Sequence, residues 1–160
     1  MAMVKKILTH TFPLLRKEAN YLKILPAKGM PFGYSHEQIW LKKLKNSKYS
    51  VCCVPYLLYD LCIGDTIKFD NSNKGYELVA SAGRYGFRAV FDIDKILGNE
   101  VLMKLKESSI KTNIEYETYL SLIAIDVKDI KSAREYSGFL RDLVKESIIV
   151  EYETIRMKDI

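Results

Sequence analysis

Between Glu37 and Val90, apolar and polar residues alternate in short runs, each stopped by Pro, Gly or a polar pair. Period-two alternation sends successive side chains to opposite faces, which is the pattern of a half-buried strand. Gln38–Leu44 puts Ile39 and Leu41 on one face and Trp40 on the other, and Asn46-Ser47 is a turn signal. Tyr49–Val54 is the return strand, halted by Pro55, which has no N–H to give to a ladder. Tyr56–Cys62 is an apolar excursion that reads as a loop or one helical turn. Gly64-Asp65 leads into strand Thr66–Phe69, Asp70–Gly75 is rich in turn formers, and Tyr76–Ser81 is the next strand. Gly83 and Gly86 bracket a bend before Phe87–Ile93. Five short strands at this spacing predict a small curled sheet or partial barrel.

The period then changes. Asp94 caps an expected helix over Lys95–Glu107, with Ile96, Leu97, Val101, Leu102 and Leu105 as its apolar stripe. Thr112–Thr118 and Leu120–Val127 alternate as strands. Asp129–Ser147 reads as a second amphipathic helix, with Ile130, Ala133, Phe139, Leu140, Leu143 and Val144 as its apolar set, and Ile148–Met157 as a last strand. Counted from Phe87, the order is β-α-β-β-α-β, the ferredoxin-like order. The expected protein is therefore α+β: a small curled antiparallel β unit over residues 37–93, followed by a ferredoxin-like half over 87–157 that shares the strand after Gly86. Residues 1–36 read as a basic lead-in that packs on the body or stays mobile. A short amphipathic helix is expected there over Leu14–Leu25, ended by Pro26, Gly29, Pro31 and Gly33.

Charge sharpens this division. The net charge of +5 is uneven: Met1–Lys48 carries ten Lys or Arg against Glu18 and Glu37, a net of +8, which leaves −3 for the rest. A basic arm suits an acidic protein, a nucleic acid or an anionic surface. Eleven Tyr, six Phe and an apolar fraction of 48% match a folded chain. No apolar run approaches the roughly 18–20 residues that span a bilayer, so no membrane role is expected. The first twenty residues are broken by His10, Pro13, Arg16 and Lys17 and do not form a secretory signal, so a cytoplasmic location is expected. Cys52, Cys53 and Cys62 have no disulfide-framework or metal spacing and read as small buried apolar residues in a reducing compartment.

Candidate chemistry is thin. His10 and His36 are the only histidines, and neither has a ligand partner at local spacing, so no metal site and no cofactor are expected. Gly83-Arg84-Tyr85-Gly86 opens onto a strand, unlike a phosphate-binding loop. Asp65, after Gly64, is a candidate carboxylate whose ordinary role is to accept from backbone amides. Glu115, Glu117, Glu151 and Glu153 suggest an acidic sheet face of the kind usually solvated. The most functional-looking set is Ser81, Arg84, Tyr85 and Arg88, whose two guanidinium groups, if they face one way, bind a carboxylate or phosphate bidentately. A structural acid such as Asp65 or Asp92 is the alternative partner for either Arg. Trp40, beside Lys42, Lys43, Lys45 and Lys48, fits a nucleic-acid surface or, equally, an internal packing role.

Several short motifs recur in a fixed order: Glu37-Gln38-Ile39-Trp40, Val54-Pro55-Tyr56, Gly64-Asp65-Thr66-Ile67, Ser81-Ala82-Gly83-Arg84, Arg88-Ala89-Val90 and Glu151-Tyr152-Glu153. In this the chain resembles a bacterial domain-of-unknown-function family, numbered forty-two sixty-five, over roughly Glu37 to Glu153. Ala82, inserted between Ser81 and Gly83, departs from the family pattern, and residues 1–36 fall outside it. The resemblance supports the fold and assigns no activity. The expected function is a non-catalytic cytoplasmic binding protein with a protein partner, in the manner of an immunity or accessory protein. One rival is a nucleic-acid-binding module using the basic third. Another is a small enzyme centred on Asp65, Ser81 and Arg84.

Overall fold

The computed structural model describes residues 4–27, 33–92, 107 and 114–156. The chain forms two compact units, Met1–Ala82 and Gly83–Ile160. The protein is α+β, mostly strand, with two sheets and a C-terminal helix.

The first unit holds a six-stranded sheet. Its strands are β1 (Ile7–Thr9), β2 (Tyr21–Pro26), β3 (His36–Lys43), β4 (Tyr49–Val51), β5 (Thr66–Phe69) and β6 (Tyr76–Ala80). β3 is its hub: it pairs antiparallel with β2 and with β4, and parallel with β1. From β4 the sheet continues antiparallel through β5 to β6. The alternation in β3 has its expected effect, with Ile39 and Leu41 fully buried and Trp40 only partly so. Leu25, Ile39, Leu41, Val51, Cys53, Leu58, Leu61, Ile67 and Tyr76 form the core. Both hairpin turns fall where the polar pairs predict. Asn46 and Ser47 take left-handed backbone, and Leu44 N–H donates to Lys48 C=O. Asp70 accepts from the amide and hydroxyl of Ser72, and Gly75 supplies a φ of +76°.

The lead-in differs from its expected form. No helix spans Leu14–Leu25; residues 14–18 are a turn, and Tyr21–Pro26 is a strand. The deciding pattern is period two. Leu22 and Ile24 lie exposed, whereas Tyr21, Lys23 and Leu25 turn inward opposite Leu41, Ile39 and Glu37 of β3. The turn is anchored by Leu15 N–H donating to Cys52 C=O. β1 and β2 thus belong to the sheet of the β unit.

The second unit contains β7 (Tyr85–Phe91), β8 (Ile114–Tyr119), β9 (Leu122–Val127), α1 (Ile130–Lys145) and β10 (Ile149–Ile155). Its antiparallel sheet runs β10-β7-β9-β8. The expected helix over Lys95–Glu107 lies outside the described residues except for Glu107. The Asp129 carboxylate caps α1 by accepting from the amide and hydroxyl of Ser132, each at 2.9 Å. The buried stripe of α1 is Ala133, Tyr136, Leu140 and Leu143, while Ile130 and Val144, expected in the apolar set, sit exposed at its two ends. The stripe packs on Phe87, Ala89, Ile123, Ile125 and Val127, which line one face of the sheet. Among the described residues no helix is long and apolar enough to cross a membrane.

Candidate functional site

Glu37 is an acid in an inward register, aligned with Ile39 and Leu41, and its side chain is fully buried. Its carboxylate accepts His10 Nε2 at 2.8 Å, Tyr56 N–H at 2.7 Å and Leu57 N–H at 2.7 Å. The His10 ring stacks on the Tyr56 ring at a centroid distance of 4.7 Å. Val51 to Leu58 is buried throughout, yet most of it is irregular backbone. Such a segment must find partners for its amides away from water, and Glu37 supplies two of them. Asp65, also fully buried, does the same work nearby, accepting Cys62 N–H and Ala82 N–H at 2.8 Å each. Ser81 is exposed.

In the second unit, Arg88 is buried on the sheet face opposite α1. Its Nη1 donates to Phe87 C=O, Ile125 C=O and the fully buried Asp126 carboxylate, all within 3.0 Å. Arg84 pairs with Glu115 at 2.7 Å, on the same sheet face. Each arginine therefore has a structural acid, Glu115 for Arg84 and Asp126 for Arg88. Glu117 lies buried on that face and not in a solvated acidic patch. Tyr85 packs partly buried against the helix-covered core on the opposite face, away from Arg88. The two glycines of the bend have different causes. Gly83 has a φ of +74°, whereas a Cβ at Gly86 would sit 2.9 Å from Ile155 Cδ1 and 3.2 Å from Asp126 Oδ1.

Trp40 is half-buried beneath the Arg16 guanidinium, 5.6 Å from the ring centroid. The lysines that follow it do not form one patch. Lys42 shares the Trp40 face of β3, while Lys43 turns to the other face, opposite Tyr49. There the core-facing rows of the sheet end in three half-buried rings, Tyr21 of β2, Tyr49 of β4 and Phe69 of β5. Their centroids are 4.5–6.0 Å apart. Lys43 Nζ lies 4.8 Å from the Tyr21 ring and Lys23 Nζ 4.9 Å from the Phe69 ring. Lys45 and Lys48 flank the adjoining turn. Sequence reasoning missed this aromatic rim because β2 was read as helix, which hid the pairing that brings Tyr21 beside Tyr49.

A cavity of about 310 Å³ is lined by Pro26, Leu57, Leu58, Tyr59 and the Asp60–Lys74–Tyr76 cluster. Asp60 accepts from Lys74 Nζ at 2.6 Å and from the Tyr76 hydroxyl. Burial works against the Asp60 charge, but the hydrogen bonds from Lys74 and Tyr76 outweigh it and hold the carboxyl below its ordinary value. Cys52, Cys53 and Cys62 are buried thiols that form no disulfide. Burial, with Cys53 and Glu18 adding to it, pushes the Cys52 thiol up to about 11. Among the described residues no group of three or more His, Cys, Asp or Glu could hold a metal ion.

Residues 37–150 match the family described as "Domain of unknown function (DUF4265)". No curated protein matches the chain. Among solved structures, the chain is similar to one described as a "Novel crystal structure of a hypothetical protein from Neisseria gonorrhoeae", with a TM-score of 0.61 and 11% identity, covering 96% of this chain and 94% of that one. At that identity the likeness establishes the fold alone.

Proposed function

The chain belongs to the DUF4265 family, a domain of unknown function, and from that premise we propose that it is a non-catalytic binding protein acting by protein–protein contact, as a bacterial cytoplasmic accessory or immunity protein does. The observation that carries this reading is β6. Among the described residues this strand pairs only with β5, and Glu77, Leu78, Val79 and Ala80 are all exposed, with Leu78 at 40% and Val79 at 37%. Apolar side chains on both faces of an edge strand, with one acid that is already paired to Lys68, are what protected edges avoid. An extended strand from a partner would add to that edge through main-chain hydrogen bonds and cover Leu78 and Val79. The buried groups support the same reading: the Asp65 carboxylate is committed to two backbone amides, Arg84 to Glu115, and Arg88 to Asp126 and two carbonyls. The second unit's strand order, with α1 between β9 and β10, supports a ferredoxin-like reading of that half.

The test is a tagged capture from nuclease-treated host lysate with the wild type and with Leu78→Lys/Val79→Lys. Both substitutions are at exposed positions, so the melting temperature stays within a degree or two. The expected result is one stoichiometric protein held by the wild type and lost by the variant, with the amides of residues 76–80 protected from hydrogen exchange in the complex. Equal capture by both forms, or unprotected β6 amides, sinks the reading.

A further inference from the structure

We propose that the rim formed by Tyr21, Tyr49 and Phe69, with Lys23, Lys43, Lys45 and Lys48, is a binding surface for single-stranded nucleic acid, separate from the β6 contact. Three features of the rim point to this ligand class.

The first is the placement of the rings. Tyr21 comes from β2, on one side of β3, and Tyr49 and Phe69 from the adjacent β4 and β5 on its other side, and the three rings close the end of the core. Each is only partly buried, so each keeps ring surface toward solvent. Their spacing of 4.5–6.0 Å and mutual tilts of 36–42° make a short stepped platform. A base offers a flat π face to any such ring, and stacking of this kind tolerates any sequence.

The second is the state of the cations. None of Lys23, Lys43, Lys45 and Lys48 has an acidic partner among the described residues, whereas Lys68 and Lys74 on and beside the neighbouring strands are each held by a carboxylate. Lys23 and Lys43 rest instead over the rings. A cation's contact with an exposed ring is weak, so a base can displace either ammonium, which then lies beside the phosphate of the same nucleotide. The nearest acid in sequence, Asp70, is turned into its own loop by two hydrogen bonds from Ser72.

The third is the combination of rings with cations. Stacking needs bases that are already unpaired, which a single strand offers and a duplex does not. An acidic protein segment would use the lysines and leave the rings idle, so the combination favours a nucleic-acid strand.

The experiment is fluorescence anisotropy of a labelled thymidine oligomer of about 15 nucleotides at several salt concentrations. A duplex of the same length and polyglutamate serve as competitors. Binding of the single strand is expected to weaken with salt, with a slope of about −0.7 per phosphate contact and roughly two to four contacts in all. Lys23→Glu/Lys43→Glu is expected to weaken it at least tenfold at low salt. Phe69→Leu, which keeps the apolar filling and removes the ring, is expected to weaken it by roughly five- to tenfold with an unchanged salt slope. Circular dichroism melts confirm that each variant is folded. Three results would overturn the proposal: no binding at low salt, binding that Phe69→Leu leaves untouched, and displacement by polyglutamate as effective as by unlabelled single strand.

Discussion

A single buried carboxylate, Glu37, holds together parts of the first unit that are far apart in the chain. Its donors His10, Tyr56 and Leu57 are 27, 19 and 20 residues away. Glu37→Ala leaves an imidazole and two amides buried without their acceptor, so it is expected to lower unfolding stability by about 3–5 kcal/mol. Urea denaturation measures this, and Glu37→Gln, which retains a carbonyl oxygen, should lose less. Asp60 gives a pH-dependent case. Its folded pKa lies below 3.8, so its bonds to Lys74 and Tyr76 stabilise the fold fully above that value and fade as the pH falls through the lower folded one. Melting temperatures of the wild type and Asp60→Asn should differ near neutral pH and converge as the pH falls through the lowered folded value; a gap that persists in strong acid refutes the linkage. The alternation of Ile39 and Leu41 extends inward to Glu37, although the strand expected from the sequence begins at Gln38. The partners of Glu37 were not legible, since nothing local marks His10 or the amides of a buried loop as the groups that meet it.

At the scale of elements, period-two alternation and turn chemistry found the strands of the β unit from β3 onward, because there each strand is stopped by Pro, Gly or an Asn-Ser pair. The same reasoning failed at β2, where Leu14, Leu15, Leu22 and Leu25 mimic a helical stripe over a short window. Pairing with β3 on one edge decided the matter, and pairing partners are a long-range property that local pattern cannot show. In α1 the stripe was found but its centre was misplaced: Tyr136, buried against Phe87 and Phe139, replaces the exposed end residues Ile130 and Val144. The β8–β9 turn carries a local conflict. Leu120 sits there at a φ of +51° and is 71% exposed, so its side chain gains little from packing and strains the backbone. Leu120→Asn, which tolerates that backbone, should raise stability by about 0.5–1 kcal/mol in thermal melts. An unchanged or lower melting temperature would show that the leucine has a packing role.

For the whole molecule, the charge imbalance in the sequence translates into two treatments of cations. In the second unit Arg84 and Arg88 are neutralised by acids on the same sheet face, Glu115 and Asp126. In the first unit several lysines stay without acidic partners among the described residues, gathered where aromatic rows end. Sequence alone could count these charges and assign them to a third of the chain. It could not separate Lys42 from Lys43, which takes the strand register, nor join Lys43 to Tyr21, which takes the fold of the segment read as helix. The α+β class and the family were legible because they rest on ordered runs of pattern; the rim was not, because it is made by neighbours across three strands.

The buried cysteines have a further consequence, for redox behaviour. A thiol reacts with oxidants, disulfides and metals as its thiolate. With its pKa pushed up to about 11, Cys52 is about one part in ten thousand thiolate at neutral pH, and Cys53 and Cys62 are equally shut away from solvent. Burial of the three thiols therefore makes them slow to react with oxidants in the folded chain. Its cysteines do not report the compartment it occupies.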